Sequence, residues 1–539
     1  MTQRYNSRVI PSAVCWPFLA VFVGLTPLTG LSPSAIQAER TAAAAPISYS
    51  DAKPILERLA ASLPAELAAQ PSSELESKWG EWVSRRDLEI RARLQRGDED
   101  SIVNFLLFGT TFTKLPRALN DNARTGDRQR AAEIVRGRTT DLIAGIAAPG
   151  MNERLQFVRE VIARRGIDPM TPTGREQARS YFVDLLARVA GEVDGYAREI
   201  QTVRSKPNGP EFAVRSSLYR ARGLSSDTSI RPDFAIERAL ETLASTGMIG
   251  SGSVRRVGII GPGLDFTDKA EGYDFYPQQT TQPFSVIDSL RRLGLADTYD
   301  LRVTTFDLSP RVNLHLQAAR RRAGTGEPYT IVLPRDLESR WRADLIGFWR
   351  AFGSRTGEPT TGSPAAPDDV EVRTVRVRPD VVSSVDARDL NIVLERLAPL
   401  PDDERFDLIV ATNILVYYGV FEQSLALANI AAMLRPGGFL LSNNVLVELP
   451  TTPLHAIGDS KVIYSDRPTT AMTSSGTDGN SEAPGNSDRR VSRPAAAGDY
   501  ALNTRESGIS RPGRSDVVST SLGSAESSTT RANVLASRR

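Results

Sequence analysis

A set of short apolar runs, each halted by glycine or an acid, constrains this chain more than any other feature. Val257-Gly258-Ile259-Ile260 runs into the turn Gly261-Pro262-Gly263, and Leu301-Arg302-Val303-Thr304-Thr305-Phe306 stops at Asp307. Further on, Phe406-Asp407-Leu408-Ile409-Val410-Ala411 is followed by Thr412-Asn413, and Leu434-Arg435-Pro436-Gly437-Gly438 leads into Phe439-Leu440-Leu441. Runs of this kind suit strands buried on both faces, and helical segments lie between them. Residues 254–464 therefore predict an open α/β sheet. Such sheets bind ligands outside the carboxyl ends of their strands, where these glycines and acids fall.

The rest of the chain divides by pattern. Residues 39–48 read as an Ala-rich linker. Residues 49–246 place apolar side chains at helical spacing, as in Ile55, Leu56, Leu59 and Leu63, and predict an all-helical domain ahead of the sheet. Trp79 and Trp82, one turn apart, read as core anchors. Just before the sheet, Tyr219, Arg220 and Arg222 are candidates for a lid over the site. Residues 466–539 are dominated by small and polar residues with scattered arginines, and predict a disordered tail.

Residues 1–38 read as an export signal. Arg4 and Arg8 precede an apolar body interrupted by Pro17 and Gly24, and Ala38 stands at a cleavage-type site. That body is shorter than the ~20 residues a bilayer span requires. A cleaved leader implies a periplasmic or secreted protein with no stable membrane span. An uncleaved one implies a membrane anchor, and a mis-chosen start codon a cytoplasmic protein.

Composition excludes several chemistries. The formal charge of +2 in 539 residues argues against nucleic acid as a partner. The single cysteine, Cys15, lies in the leader, so the body has no disulfide, thiolate nucleophile or thiolate metal site. His315 and His455 are the only histidines, which excludes a histidine-rich metal centre, and no metal site is expected.

The turn at Gly261 and Gly263 lets a ligand approach the backbone closely. The dinucleotide pattern G-x-G-x-x-G would need glycine at 266, where Phe266 stands. The loop that follows carries Asp265, Asp268, Tyr273, Asp274, Tyr276 and Gln278, a set suited to clamping a substrate or cofactor. Asp307 can accept both hydroxyls of a ribose. The run Val381-Val382-Ser383-Ser384-Val385-Asp386-Ala387-Arg388-Asp389-Leu390 puts an acid and a small residue, Asp386 and Ala387, where an adenine could lie. Asn413, Tyr417 and Tyr418 top the next strand.

Region 254–464 resembles a class I S-adenosylmethionine-dependent methyltransferase domain. The specific part is Phe406-Asp407-Leu408-Ile409-Val410 through Leu434-Arg435-Pro436-Gly437-Gly438, similar in local wording to the chemotaxis-receptor carboxyl methyltransferases. The resemblance implies a Rossmann-like methyltransferase sheet with S-adenosylmethionine as cofactor. By it, Gly261 and Gly263 face that cofactor, Asp307 its ribose, Asp386 and Ala387 its adenine, and Asn413 its methionine end or the substrate. Tyr273, Tyr276, Tyr417 and Tyr418 are substrate-side candidates, and residues 455–464 would supply the closing antiparallel hairpin. Two positions depart from the family pattern. Ile259 replaces an acid that often anchors the cofactor's amino group, and Asp265 replaces a third glycine, from which it could partly stand in for that acid.

Methyl transfer needs no universal catalytic residue, since positioning and desolvation do most of the work. No catalytic group is assigned. Absence of an Asn/Asp-Pro-Pro-Tyr motif disfavours adenine methylation in DNA, and the lack of a cysteine in the body excludes cytosine-C5 chemistry. Three readings stand open: a methyltransferase acting on a small molecule or protein side chain, an exported non-catalytic binding or scaffold protein on the same fold, and a nicotinamide-dependent oxidoreductase. The first requires Asp307 beside the Gly261–Gly263 bend with an open hollow there.

Overall fold

The computed structural model describes residues 42–118, 128–204, 223–267, 273–297, 300–362, 364–443, 452–465 and 529–537. The leader, the lid candidates Tyr219, Arg220 and Arg222, the loop acid Asp268, and residues 466–528 of the tail lie outside the described residues. The first half holds β1 (Ala43–Pro46), α1 (Tyr49–Arg58), α2 (Ala65–Ala68), α3 (Leu75–Phe108), α4 (Arg128–Ala147), α5 (Glu153–Ala163), α6 (Pro172–Arg204) and α7 (Ile230–Ser245). There follow β2 (Arg256–Ile260), α8 (Gln282–Arg292), β3 (Arg302–Asp307), α9 (Pro310–Ala323), β4 (Tyr329–Asp336), α10 (Ala343–Ala351), β5 (Gly357–Thr360) and β6 (Val370–Val377). The chain continues with α11 (Pro379–Ser383), β7 (Val385–Asp389), β8 (Glu395–Ala398), β9 (Phe406–Ala411), α12 (Val420–Met433), β10 (Leu434–Ser442), β11 (Leu454–Ile463) and β12 (Thr529–Ser537).

The expected apolar runs form a seven-stranded sheet in the order β11-β12-β10-β9-β2-β3-β7. Strands β7, β3, β2, β9 and β10 run parallel, and β12 lies antiparallel to both β10 and β11. All six residues of β9 are buried, as a central parallel strand covered on both faces requires. The chain adds strands outward from β2 on one side and then crosses to β9 on the other. That reversal leaves a crevice at the carboxyl ends of β2 and β9.

The closing strands correct the expected hairpin. Residues 454–463 are one strand, and its partner is β12, from the far end of the stretch expected to be disordered. Val534 and Leu535 are buried there, so a short apolar patch in a polar tail suffices when two waiting edges pair it. A second excursion was not foreseen: β4, β6 and β5 form a separate antiparallel sheet between α9 and β7.

Asp407 and Arg435, from the most family-like wording, have structural work at the amino end of the sheet. Asp407 accepts the backbone N–H groups of Arg255 and Arg256 (2.6 and 2.8 Å) and pairs with Arg435 at 2.7 Å. They tie β9 to the starts of β2 and β10, away from the crevice. Helix α7 packs on α8, β11 and β12, and Phe234, Ala235, Leu240 and Leu243 join the core of the sheet. Among the described residues, no helix is long and apolar enough to cross a membrane.

Candidate functional site

The carboxyl ends of β2 and β3 meet at the glycine turn. Gly261 and Gly263 both take left-handed backbone conformations (φ +67° and +68°), which glycine adopts without strain. Gly261 donates its N–H to the Phe306 carbonyl at 2.8 Å, turning the chain over the end of β3. Two residues then separate Asp307 from the proline that starts α9, which fixes φ for the first turn. Asp307 Oδ1 accepts the Ser309 N–H at 2.8 Å, and the Gly263 N–H also serves this carboxylate. Burial pushes the Asp307 carboxyl up to about 6, against those two N–H groups and nearby Arg311, which pull it down. Asp307 therefore lies beside the bend and keeps partial exposure.

The glycine faces are partly covered by protein. A Cβ built on Gly261 would lie 2.1 Å from Ile414 Cδ1, and one on Gly263 would lie 2.6 Å from the Ser226 carbonyl oxygen. Residues 223–228 run over the turn, Leu264 N–H bonding the Ser226 carbonyl (2.7 Å) and Thr228 N–H the Leu264 carbonyl (3.2 Å). The same segment crosses α3 in backbone contact, where a Cβ on Gly97 would lie 1.9 Å from the Leu224 oxygen.

The polar loop after the turn docks inward. Phe266 is fully buried in the helical core, with ring centroids 5.7 Å from Phe105 and 5.0 Å from Phe157. Asp265 accepts from Tyr276 Oη (2.8 Å) and Gln279 Nε2 (3.0 Å). Buried Arg154 bonds the carbonyls of Phe266 and Tyr276, and Asp274 accepts from the backbone of Thr110 and Thr111. Tyr273 is buried beneath Arg117, whose guanidinium stands 4.8 Å from the ring centroid. Asp265 thus braces the loop internally, Tyr273 and Tyr276 pack with Val332 and Val370 of the antiparallel sheet, and all three present almost no surface to a ligand.

Helix α3 lies along the crest. Its Arg91 bonds both oxygens of Asp389 (2.8 and 3.0 Å), and its Asp87 accepts from Asn391 Nδ2 (2.8 Å). Arg86 pairs with Glu422, and Arg93 donates to the Tyr417 carbonyl at 3.0 Å. The register Asp307↔Asp389 makes Asp389 the acid at the end of β7. Asp386 and Ala387 sit lower on that strand, and Asp386 pairs with Arg320 and Arg388 on the flank. The expected adenine-side pair is therefore not at the crest, whereas Asp389, three residues further along, is.

Arg311, from the first turn of α9, reaches back among Asp98, Asp227 and Asp307. Its guanidinium lies 4.0 Å from the Phe157 ring centroid and donates to Ser226 Oγ at 2.9 Å. Asp227 also accepts from Ser101 at 2.8 Å. On the other side, Asn413 tops β9 with φ +58°, its N–H bonding Asn443 Oδ1 at 2.7 Å. Asn413 is exposed and Tyr417 partly so, while Tyr418 is buried with Arg93 5.7 Å from its ring centroid. Burial raises the pKa of the Tyr418 phenol.

Beneath the crest, α7 contributes an acid that sequence reading missed. Asp233 is buried and accepts from Thr281 Oγ1 at 2.9 Å, and Gln282 beside it donates to Thr412 Oγ1 at the end of β9 (2.9 Å). Burial pushes the Asp233 carboxyl up to about 7, against the Thr281 and Gln282 side chains, whose hydrogen bonds pull it down. The only signal in the sequence was an acid in the first turn of an otherwise amphipathic helix.

Strand order and direction define a Rossmann-like sheet of the class I methyltransferase type. No family model matches the chain, and no curated protein does. Among solved structures it is similar to the glycopeptide N-methyltransferase MtfA complexed with S-adenosylmethionine, at 15% identity over 39% of this chain and 53% of that one (TM-score 0.19). It is also similar to an O-methyltransferase family protein from Burkholderia thailandensis, at 12% identity over 60% and 78% (TM-score 0.18). A third is human N-acetylserotonin methyltransferase in complex with the same ligand, at 10% identity over 70% and 81% (TM-score 0.17). The chain spans about half the length of MtfA. At these identities and TM-scores the likeness adds nothing to what strand order defines. The Asp307 carboxylate at the crest, partly exposed beside the glycine turn, is of the kind that can accept the hydroxyls of a ribose.

Proposed function

We propose that this protein is an S-adenosylmethionine-dependent methyltransferase whose cofactor lies across the crest of β2 and β3. The observation that carries the reading is Asp307, oriented by two backbone N–H groups beside the glycine turn and left partly exposed. With its pKa near 6 the carboxylate is largely ionised at neutral pH, and so accepts from both hydroxyls of a ribose. The cofactor supplies an electrophilic methyl group. The chain's part is to hold donor and acceptor in line and keep water out, and α3 roofs the crest for that purpose. An acceptor, whether a small molecule or a protein carboxylate of the chemotaxis-receptor kind, would enter between Asn413 and Tyr417, the exposed side.

A second reading, a non-catalytic module on the same fold, is favoured by the side chain of Ile414 over Gly261 and by Ser226 over Gly263. Titration calorimetry of the full chain with S-adenosylmethionine and S-adenosylhomocysteine separates the two. Micromolar binding that weakens roughly tenfold or more in Asp307→Ala, as loss of hydrogen bonds to a charged acceptor predicts, supports the enzyme. No heat with either ligand leaves the non-catalytic module.

A further inference from the structure

We infer that residues 224–228 are a strap that closes the glycine turn in the resting protein and must lift before a cofactor can lie across the crest. The inference rests on the methyltransferase reading for the identity of the ligand. The strap itself follows from contacts within the chain.

One end of the strap is fixed on α3. Leu224 is buried and donates its N–H to the Arg93 carbonyl at 3.1 Å. The two backbones touch there, since a Cβ on Gly223 would lie 2.2 Å from the Gly97 nitrogen. Glycine in the middle of a helix weakens it, and at Gly97 the missing side chain makes room for the strap. The other end is fixed where α7 starts, at buried Ser229. Between these ends the strap pairs with the turn: Asp227 forms a parallel bridge with Leu264, whose N–H and carbonyl both bond strap backbone. The Ser226 carbonyl takes the space that the bare Gly263 would otherwise offer a ligand. Arg311 then ties Ser226 Oγ to the first turn of α9 at 2.9 Å. The strap therefore runs from the turn after β2 to the helix after β3, past Asp307.

Its fastenings are of a kind that water can replace. Ser225, Ser226, Asp227 and Thr228 are polar and all partly exposed. Lifting them uncovers little apolar surface, so the hydrophobic effect does not hold the strap down. What is given up is hydrogen bonds, those of Leu264 and Arg311 together with Ser101 (2.8 Å) and Asn104 (3.4 Å) on the Asp227 carboxylate. In the lifted state each of these groups meets water instead, which makes the net loss per bond small. Fixed ends and a polar middle are what a hinged cover needs.

The test ties the strap to α3 in the full chain. Ser101→Cys and Asp227→Cys place thiols at two side chains in contact, and Cys15→Ser removes the only native cysteine. Titration calorimetry with S-adenosylhomocysteine should show roughly tenfold or weaker binding by the oxidised form than by the same protein reduced, because only the open fraction binds. Equal affinity of the two forms overturns the inference and leaves the cofactor site standing. Asp227→Ala, which loosens the strap without a cross-link, should bind severalfold more tightly than wild type. An affinity no higher than that of wild type overturns the inference as well, and this variant decides alone if the cysteines do not join. Absence of binding by wild type and Asp227→Ala alike overturns the functional proposal, and the strap's role with it.

Discussion

Acids flank the crevice on both sides, but in opposite circumstances. On the β3 and β7 side, Asp389 is held by Arg91, and Asp307 shares Arg311 with Asp98 and Asp227. Each of those arginines reaches across an element boundary, so each of these acids faces a cation of the protein. On the β2 and β9 side, Asp233 is answered only by neutral side chains, those of Thr281 and Gln282. The difference separates acids answered by the protein's own arginines from an acid buried among neutral groups, which holds its proton instead.

The largest expected effect breaks the fastened side. Phe266→Ala removes a ring packed between Phe105 and Phe157. It should cost about 3–5 kcal/mol of unfolding free energy, measured by denaturant titration. A loss under about 1 kcal/mol would mean that the loop is not what docks the helices.

The next sharpens the other side. Because the folded pKa of Asp233 is near 7 against an ordinary 3.8, the native state keeps a proton that the unfolded chain has released between those values. Stability contributed at this position is therefore full below about pH 4 and falls as pH rises towards 7. Asp233→Asn, which has no charge to bury, should gain on the wild type across that window by a few kcal/mol, as about 1.4 kcal/mol per unit implies. Melting curves at pH 5 and pH 8 check this. An unchanged difference between the two proteins would show that Asp233 does not titrate there. The smallest effect is Arg91→Ala. Its partner Asp389 is 56% exposed, so the loss should be about 0.2–1 kcal/mol and shrink further in high salt.

Much of the sheet was legible because buried parallel strands are written as continuous apolar runs, and the Gly261, Asp307 and Asn413 ends fell where those runs stop. Asp386 was misplaced for a local reason. Pro379 starts a helical turn, α11, that takes up Val381 and Val382, so the strand begins at Val385 and its end shifts to Asp389. The loop residues Asp265, Tyr273 and Tyr276 looked like a clamp because polarity and aromaticity do not reveal which way a loop faces. The helical half closes over that loop, and nothing local to residues 264–281 encodes the approach. Asp233 was illegible for a similar reason: the side chains that enclose it, Thr281 and Gln282 at the start of α8, are far off in sequence.

Strand β12 slots between two neighbours that were both made earlier, with residues 464–528 passing in between. Until it arrives, β10 and β11 each display a bare row of peptide groups to whatever else is near, the situation in which sheets recruit the wrong partner. Trimming the low-complexity stretch for convenience, by ending the chain at Tyr464, would make that transient hazard permanent. Shortening only the passage ahead of Thr529 should be tolerated, since loop closure depends weakly on length.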